Sequence, residues 1–206
     1  MPEPAPRLNI WDDHWDFRPE DCPCDVDFVR WLDREGIRDA AIYHFGSGGH
    51  HHVGIECARP DRRNSVLAIT AAPREHESFV QLALARPELL RFYSAVFGDI
   101  YLVNARLLPE LDVATLFHLC EFRSARNDAY GALDDLAVTQ VVASRIRPGG
   151  HLLFFPGSFA WDRANDSAKD VVAAWAAESD FTEIGRFGSL LVYRRAGGGA
   201  ELAPPH

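Results

Sequence analysis

Apolar residues recur along this chain in two rhythms, helical and strand-like, and their alternation predicts the architecture. Phe28, Val29 and Leu32 keep helical spacing behind Asp25, which reads as the helix cap, and Gly36 reads as the stop. The run Ala40-Ala41-Ile42-Tyr43-His44-Phe45 ends in Gly46-Ser47-Gly48-Gly49, the pattern of a buried strand feeding a glycine loop. Val53 to Ala58 reads as a short helix and Ser65 to Ile69 as a second buried strand. Phe79, Leu82, Ala83, Leu89, Leu90, Tyr93 and Val96 return to helical spacing, with Pro87 starting a second helix among them. Ile100 to Val103 and Ala114 to Leu119 predict the third and fourth strands.

Asp134 and Asp135 open a helix carrying Leu136, Ala137, Val141 and Ile146, with acidic residues at the end the helix dipole favours. Arg147-Pro148-Gly149-Gly150 turns into a strand over His151 to Phe155. Asp166 or Ser167 caps a helix through Val171, Val172 and Trp175, and Phe181 to Ile184 and Leu190 to Tyr193 close the chain as strands joined at Gly188-Ser189. Strands alternating with helices predict an α/β, Rossmann-like single domain: about seven strands, mostly parallel, with helices on both faces. The closing pair must be antiparallel, because its connection is too short for a parallel crossover.

The domain is expected over residues 25–195. Residues 1–24 read as an irregular segment whose Trp11, His14 and Trp15 either pack on the sheet edge or form a lid over a pocket. Residues 196–206, rich in glycine and proline, read as a disordered tail.

Composition narrows the function. A chain of 206 residues, 47% hydrophobic and 25% charged, has the size and make-up of one globular domain. A formal charge of -9 argues against nucleic acid and anionic membrane surfaces as partners. No run approaches the roughly 20 apolar residues of a membrane helix. The stretch Met1 to Pro6 lacks signal-peptide character, and Cys22, Cys24, Cys57 and Cys120 are too few for a disulfide scaffold, so the expected location is cytoplasmic. Oligomeric state is not legible. Lys169 is the only lysine beside many arginines, a bias that reads as codon usage.

Two stretches carry a family resemblance. His44-Phe45-Gly46-Ser47-Gly48 and Arg147-Pro148-Gly149-Gly150-His151-Leu152-Leu153-Phe154, with the terminal antiparallel pair, resemble the class I S-adenosylmethionine-dependent methyltransferases over roughly residues 38–195. The resemblance implies S-adenosylmethionine as cofactor and methyl transfer to a small molecule. It places His44, Phe45, Gly46, Ser47 and Gly48 at the cofactor loop, Thr70 at the ribose, Asn104 and Ala105 at the adenine, and His118 beside the methionine part and the substrate. The chain departs from the pattern where His44 and Thr70 stand in place of the family's usual carboxylates.

Candidate bases are His50, His51 and Glu121, which the predicted topology brings to one end of the sheet. At most two histidines of His50-His51-His52 are able to serve one ion, so a single pocket-facing base is the preferred reading and no metal ligands are assigned. Cys22-Pro23-Cys24 is too tightly spaced for a zinc pair of the usual kind. Two further readings stay open: a metal-dependent enzyme using histidines near the loop, and a degenerate binding subunit without catalysis.

Overall fold

The computed structural model describes residues 5, 7–12, 15–165 and 167–197. The expected disordered tail therefore falls almost wholly outside the described residues, as do His14 of the lid reading and Asp166 as a cap. Seven strands form one sheet in the order β3-β2-β1-β4-β5-β7-β6. They are β1 (Ala41–Phe45), β2 (Ser65–Thr70), β3 (Tyr93–Phe97), β4 (Leu111–Leu116), β5 (Ile146–Phe154), β6 (Phe181–Phe187) and β7 (Leu190–Arg195). All run in one direction except β7, which is antiparallel to both β5 and β6.

The helices are α1 (Pro23–Arg34), α2 (His52–Cys57), α3 (Pro73–Ala85), α4 (Ala125–Asp128), α5 (Asp135–Ser144) and α6 (Ala168–Glu178). On one face, Phe28, Trp31 and Leu32 of α1 and Val53 and Cys57 of α2 pack against Ile42, Val113, Leu153 and Val192. On the other, Val138 and Val142 of α5 and Val172 and Trp175 of α6 pack against Tyr43, Leu116, Phe154 and Tyr193. Successive strand residues point to opposite faces, which is why neighbours such as Ile42 and Tyr43 belong to different halves of the core.

Several expectations are corrected, among them Ile146, which opens β5 and is not carried by α5, a helix that ends at Ser144. The third strand lies at Tyr93–Phe97, not at Ile100 to Val103, which instead begins with a single 3-10 turn over Ile100–Leu102. Leu89, Tyr93 and Val96 mimic helical spacing, but the turn at Pro87 stops at Arg91 and the chain enters an edge strand with Tyr93 and Ala95 inward and Ser94 and Val96 outward. The fourth strand is Leu111–Leu116, so His118 to Phe122 lies in the loop beyond it. Finally, α1 is capped at Cys22 with Pro23 in its first turn, which leaves Asp25 inside the helix on its buried face. Ser167, whose hydroxyl accepts from the Asp170 amide, caps α6.

The Arg147-Pro148-Gly149-Gly150 turn is built as a bulge within β5. Ile146 pairs with Leu111 and His151 with Val113, so the intervening residues loop out opposite Asp112.

Candidate functional site

The carboxyl ends of the parallel strands are where open α/β sheets bind ligands. A cavity of about 320 Å³ lies there, within the range of small-molecule sites. Its floor is the glycine loop after β1. Gly46 and Gly48 both have left-handed backbone, φ +84° and +55°, which a side chain would strain. A Cβ on Gly48 would lie 2.6 Å from the His50 ring, so glycine is needed there for close approach as well as for the turn.

Phe45, Gly46, Gly48, Thr70, His50, His118 and Glu121 line the cavity together. His44 lies beneath the floor, buried, with Nδ1 2.7 Å from the Thr115 hydroxyl. Burial, reinforced by the neighbouring His118 and His50, pushes His44 down to about 3, so its ring is neutral. Ser47 is buried and does not line the cavity. His51 is turned away: Nδ1 meets the Tyr93 hydroxyl at 2.8 Å and Nε2 the Ser78 hydroxyl at 3.2 Å, which fastens the loop to β3 and α3. His52 stacks on Phe17 with ring centroids 4.4 Å apart. Asn104 and Ala105 lie off the cavity, where the exposed Asn104 accepts from the Arg106 amide as a turn cap. The displacement follows from the shifted third strand, and it puts Asp99 and Ile100 beside the cavity instead.

Besides Asp21 and Asp99, two carboxylates reach the cavity from helices, where the sequence pattern placed no site residue. Glu75, in the first turn of α3, is buried and accepts from the Thr70 hydroxyl at 2.7 Å, so the end of β2 carries a carboxylate at one remove. Asp25 comes from the apolar stripe of α1, and burial pushes its carboxyl up to about 7, partly opposed by His118. A charged residue at helical spacing with Phe28, Val29 and Leu32 was the available signal.

His118 and Glu121 form a pair. His118 Nδ1 lies 3.0 Å from Glu121 Oε2, and Glu121 Oε1 accepts from the Phe159 amide at 2.9 Å, which fixes the carboxylate. Burial pulls the imidazole down, but the hydrogen bond and charge of Glu121, with Asp25 and Glu75 beyond, hold it above its ordinary value. The turn carrying the pair has left-handed backbone at Cys120, φ +66°, held by its amide donating to Asp135 at 2.9 Å and its carbonyl accepting from Arg163.

Trp11 and Trp15 of the N-terminal segment reach the cavity. The Trp11 amide donates to the Ala71 carbonyl at 3.2 Å, and the Trp15 carbonyl accepts from Gly49 at 3.0 Å. Both tryptophans line the cavity, and Trp11 sits edge-on to Phe122.

No protein-family model matches this sequence, and no curated protein matches it. Solved structures are similar in shape. The cyclase SpnF superposes with a TM-score of 0.59 at 12% identity, covering 92% of this chain and 87% of its own. A candidate S-adenosyl-L-methionine-dependent methyltransferase of Methanococcus maripaludis gives 0.57 at 13% identity, covering 87% and 88%. A candidate caffeoyl-CoA O-methyltransferase of Staphylococcus aureus gives 0.58 at 10% identity, covering 88% and 85%. The fold is that of the class I methyltransferases. A cyclase among the similar structures shows that this methyltransferase fold hosts more than one named chemistry, so activity has to be argued from the site.

Proposed function

We propose that this chain transfers a methyl group from S-adenosylmethionine to a small-molecule acceptor, with His118 as the general base. The carrying observation is the convergence on one cavity of the Gly46–Gly48 loop, the buried Glu75 at the end of β2 and the His118–Glu121 pair. When bound, S-adenosylmethionine supplies the electrophilic methyl group. The acidic wall formed by Asp25, Glu75, Asp99 and Glu121 complements a cationic ligand, and Glu75 takes over the ribose contact that Thr70 lacks a charge to make. Asp99 and Ile100 stand at the adenine end. Glu121 orients His118 so that its Nε2 accepts the acceptor's proton as the new bond to carbon forms, and Trp11, Trp15 and Phe122 exclude water over an apolar acceptor.

Titration calorimetry of the full chain with S-adenosylmethionine and S-adenosylhomocysteine tests this. Saturable binding at one site is expected, lost in Gly48→Val and weakened in Glu75→Gln while both variants retain the wild-type circular dichroism spectrum. Absence of binding to the wild-type protein would overturn the assignment.

A further inference from the structure

A second set of groups on the same cavity wall shares only Asp25 with that reading. Cys22 Sγ, a carboxylate oxygen of Asp25 and a ring nitrogen of His50 all lie within 4.8 Å of one another. They come from three separate places: the residue capping α1, the first turn of α1, and the glycine loop. Asp25 sits between two imidazoles, with His50 Nε2 3.6 Å from Oδ2 and His44 Nε2 3.8 Å from Oδ1. The His44 nitrogen is buried and has no hydrogen-bond partner among the described residues. The tautomer in which His44 Nδ1 donates to Thr115 turns the Nε2 lone pair toward Asp25.

We propose that Cys22, Asp25 and His50 form a binding site for a zinc-type divalent transition-metal ion, its fourth position open into the cavity, with His44 Nε2 beside it. Thiolate, imidazole and carboxylate together suit such an ion and not calcium or magnesium, which take oxygen donors. Tetrahedral bonds of about 2.0–2.3 Å put ligand atoms roughly 3.3–3.8 Å apart, so the cluster closes on an ion by a contraction of about 1 Å. Three protein ligands facing a cavity is the arrangement of an open site, in contrast to a closed structural one. Ligation has one internal cost. His50 Nδ1 accepts from the His52 amide at 3.1 Å, which places the ring proton on Nε2. The ion displaces that proton, and Nδ1 takes one up as the amide bond is released.

The site stands or falls independently of the cofactor assignment, because its test needs no S-adenosylmethionine. Metal-stripped full-length protein is titrated with cobalt(II) and followed by absorbance. The expected result is one equivalent bound, with d–d bands of a four- or five-coordinate ion and a thiolate-to-cobalt charge-transfer band, both erased by zinc. Cys22→Ser should lose the charge-transfer band, and His50→Ala and Asp25→Asn should each weaken binding by at least tenfold. Cys22 is only half-buried, so Cys22→Ser remains informative if Asp25→Asn does not fold. A wild-type titration without a saturable single equivalent, a band that persists in Cys22→Ser, or unchanged affinity in folded His50→Ala overturns the proposal.

Discussion

His118 and Glu121 divide labour in a way that kinetics resolves. A general base contributes typically about 10²–10⁴-fold, so His118→Asn should lower kcat by about that factor while the dissociation constant for S-adenosylhomocysteine stays close to wild type. The imidazole works deprotonated and is held above its ordinary 6.5, so kcat/KM should rise with pH through a midpoint above that value. Glu121→Gln removes the largest of the raising influences, and the midpoint should move down. An unmoved midpoint in Glu121→Gln would show that the pair is not the titrating unit.

His51 is the contrasting case: a histidine in the same triplet whose two nitrogens are spent on Tyr93 and Ser78. His51→Ala takes a partner from the Tyr93 hydroxyl and leaves Ser78 only its bond to the Gly49 carbonyl, costing about 1–3 kcal/mol in a denaturant melt with kcat little changed. Nothing in the string His50-His51-His52 distinguishes these fates. They are decided by left-handed backbone at His51, φ +53°, which turns its ring toward β3 while His50 lies over Gly48.

At the level of elements, the sequence pattern carried most of the fold. The order of strands and helices, the antiparallel close and the glycine loop at the end of β1 were all legible, because long buried runs bounded by glycine admit few readings. The edge strand β3 was not, because with one neighbour it needs only Tyr93 and Ala95 inward and its residues coincide with a helical register. That slip pointed to Asn104 where the structure puts Asp99 on the cavity. The alternation makes a sharp prediction. Val96→Thr, on the outward face, should change stability within about 0.5 kcal/mol. Ala95→Asp buries a carboxylate without a designed partner and should destabilise severely, by several kcal/mol. Chemical denaturation of both variants checks this, and a reversed order would argue for a helix through this segment. Asp25 and Glu75 were passed over for a related reason: each reaches the cavity from a helix, whereas the family pattern looks for carboxylates on strand ends, and only Asp25 left a signal, its place in an apolar stripe.

For the molecule as a whole, the segment before α1 is tied down on both sides of the cavity. The Asn9 amide donates to the Tyr130 hydroxyl at 3.2 Å, and Asn9 Nδ2 donates to the Phe122 carbonyl at 3.1 Å and to Asn127 Oδ1 at 2.9 Å. Asn127 and Tyr130 in turn donate to Asp99 at 2.7 and 2.5 Å. Trp11 and Trp15 then cross to the loops after β2 and β1. This crossing has a kinetic consequence. Where Trp11 and Trp15 pack on a bound ligand, its departure is expected to be paced by breaking the contacts that hold these residues. Stopped-flow displacement of bound S-adenosylhomocysteine should therefore give an off-rate that accelerates in Asn9→Ala and Trp15→Ala alike, although Asn9 is not among the residues lining the cavity. If release limits turnover, the same two substitutions would make the protein faster under saturating substrate, an outcome in which loosening a buried hydrogen bond speeds the cycle while the melting temperature falls.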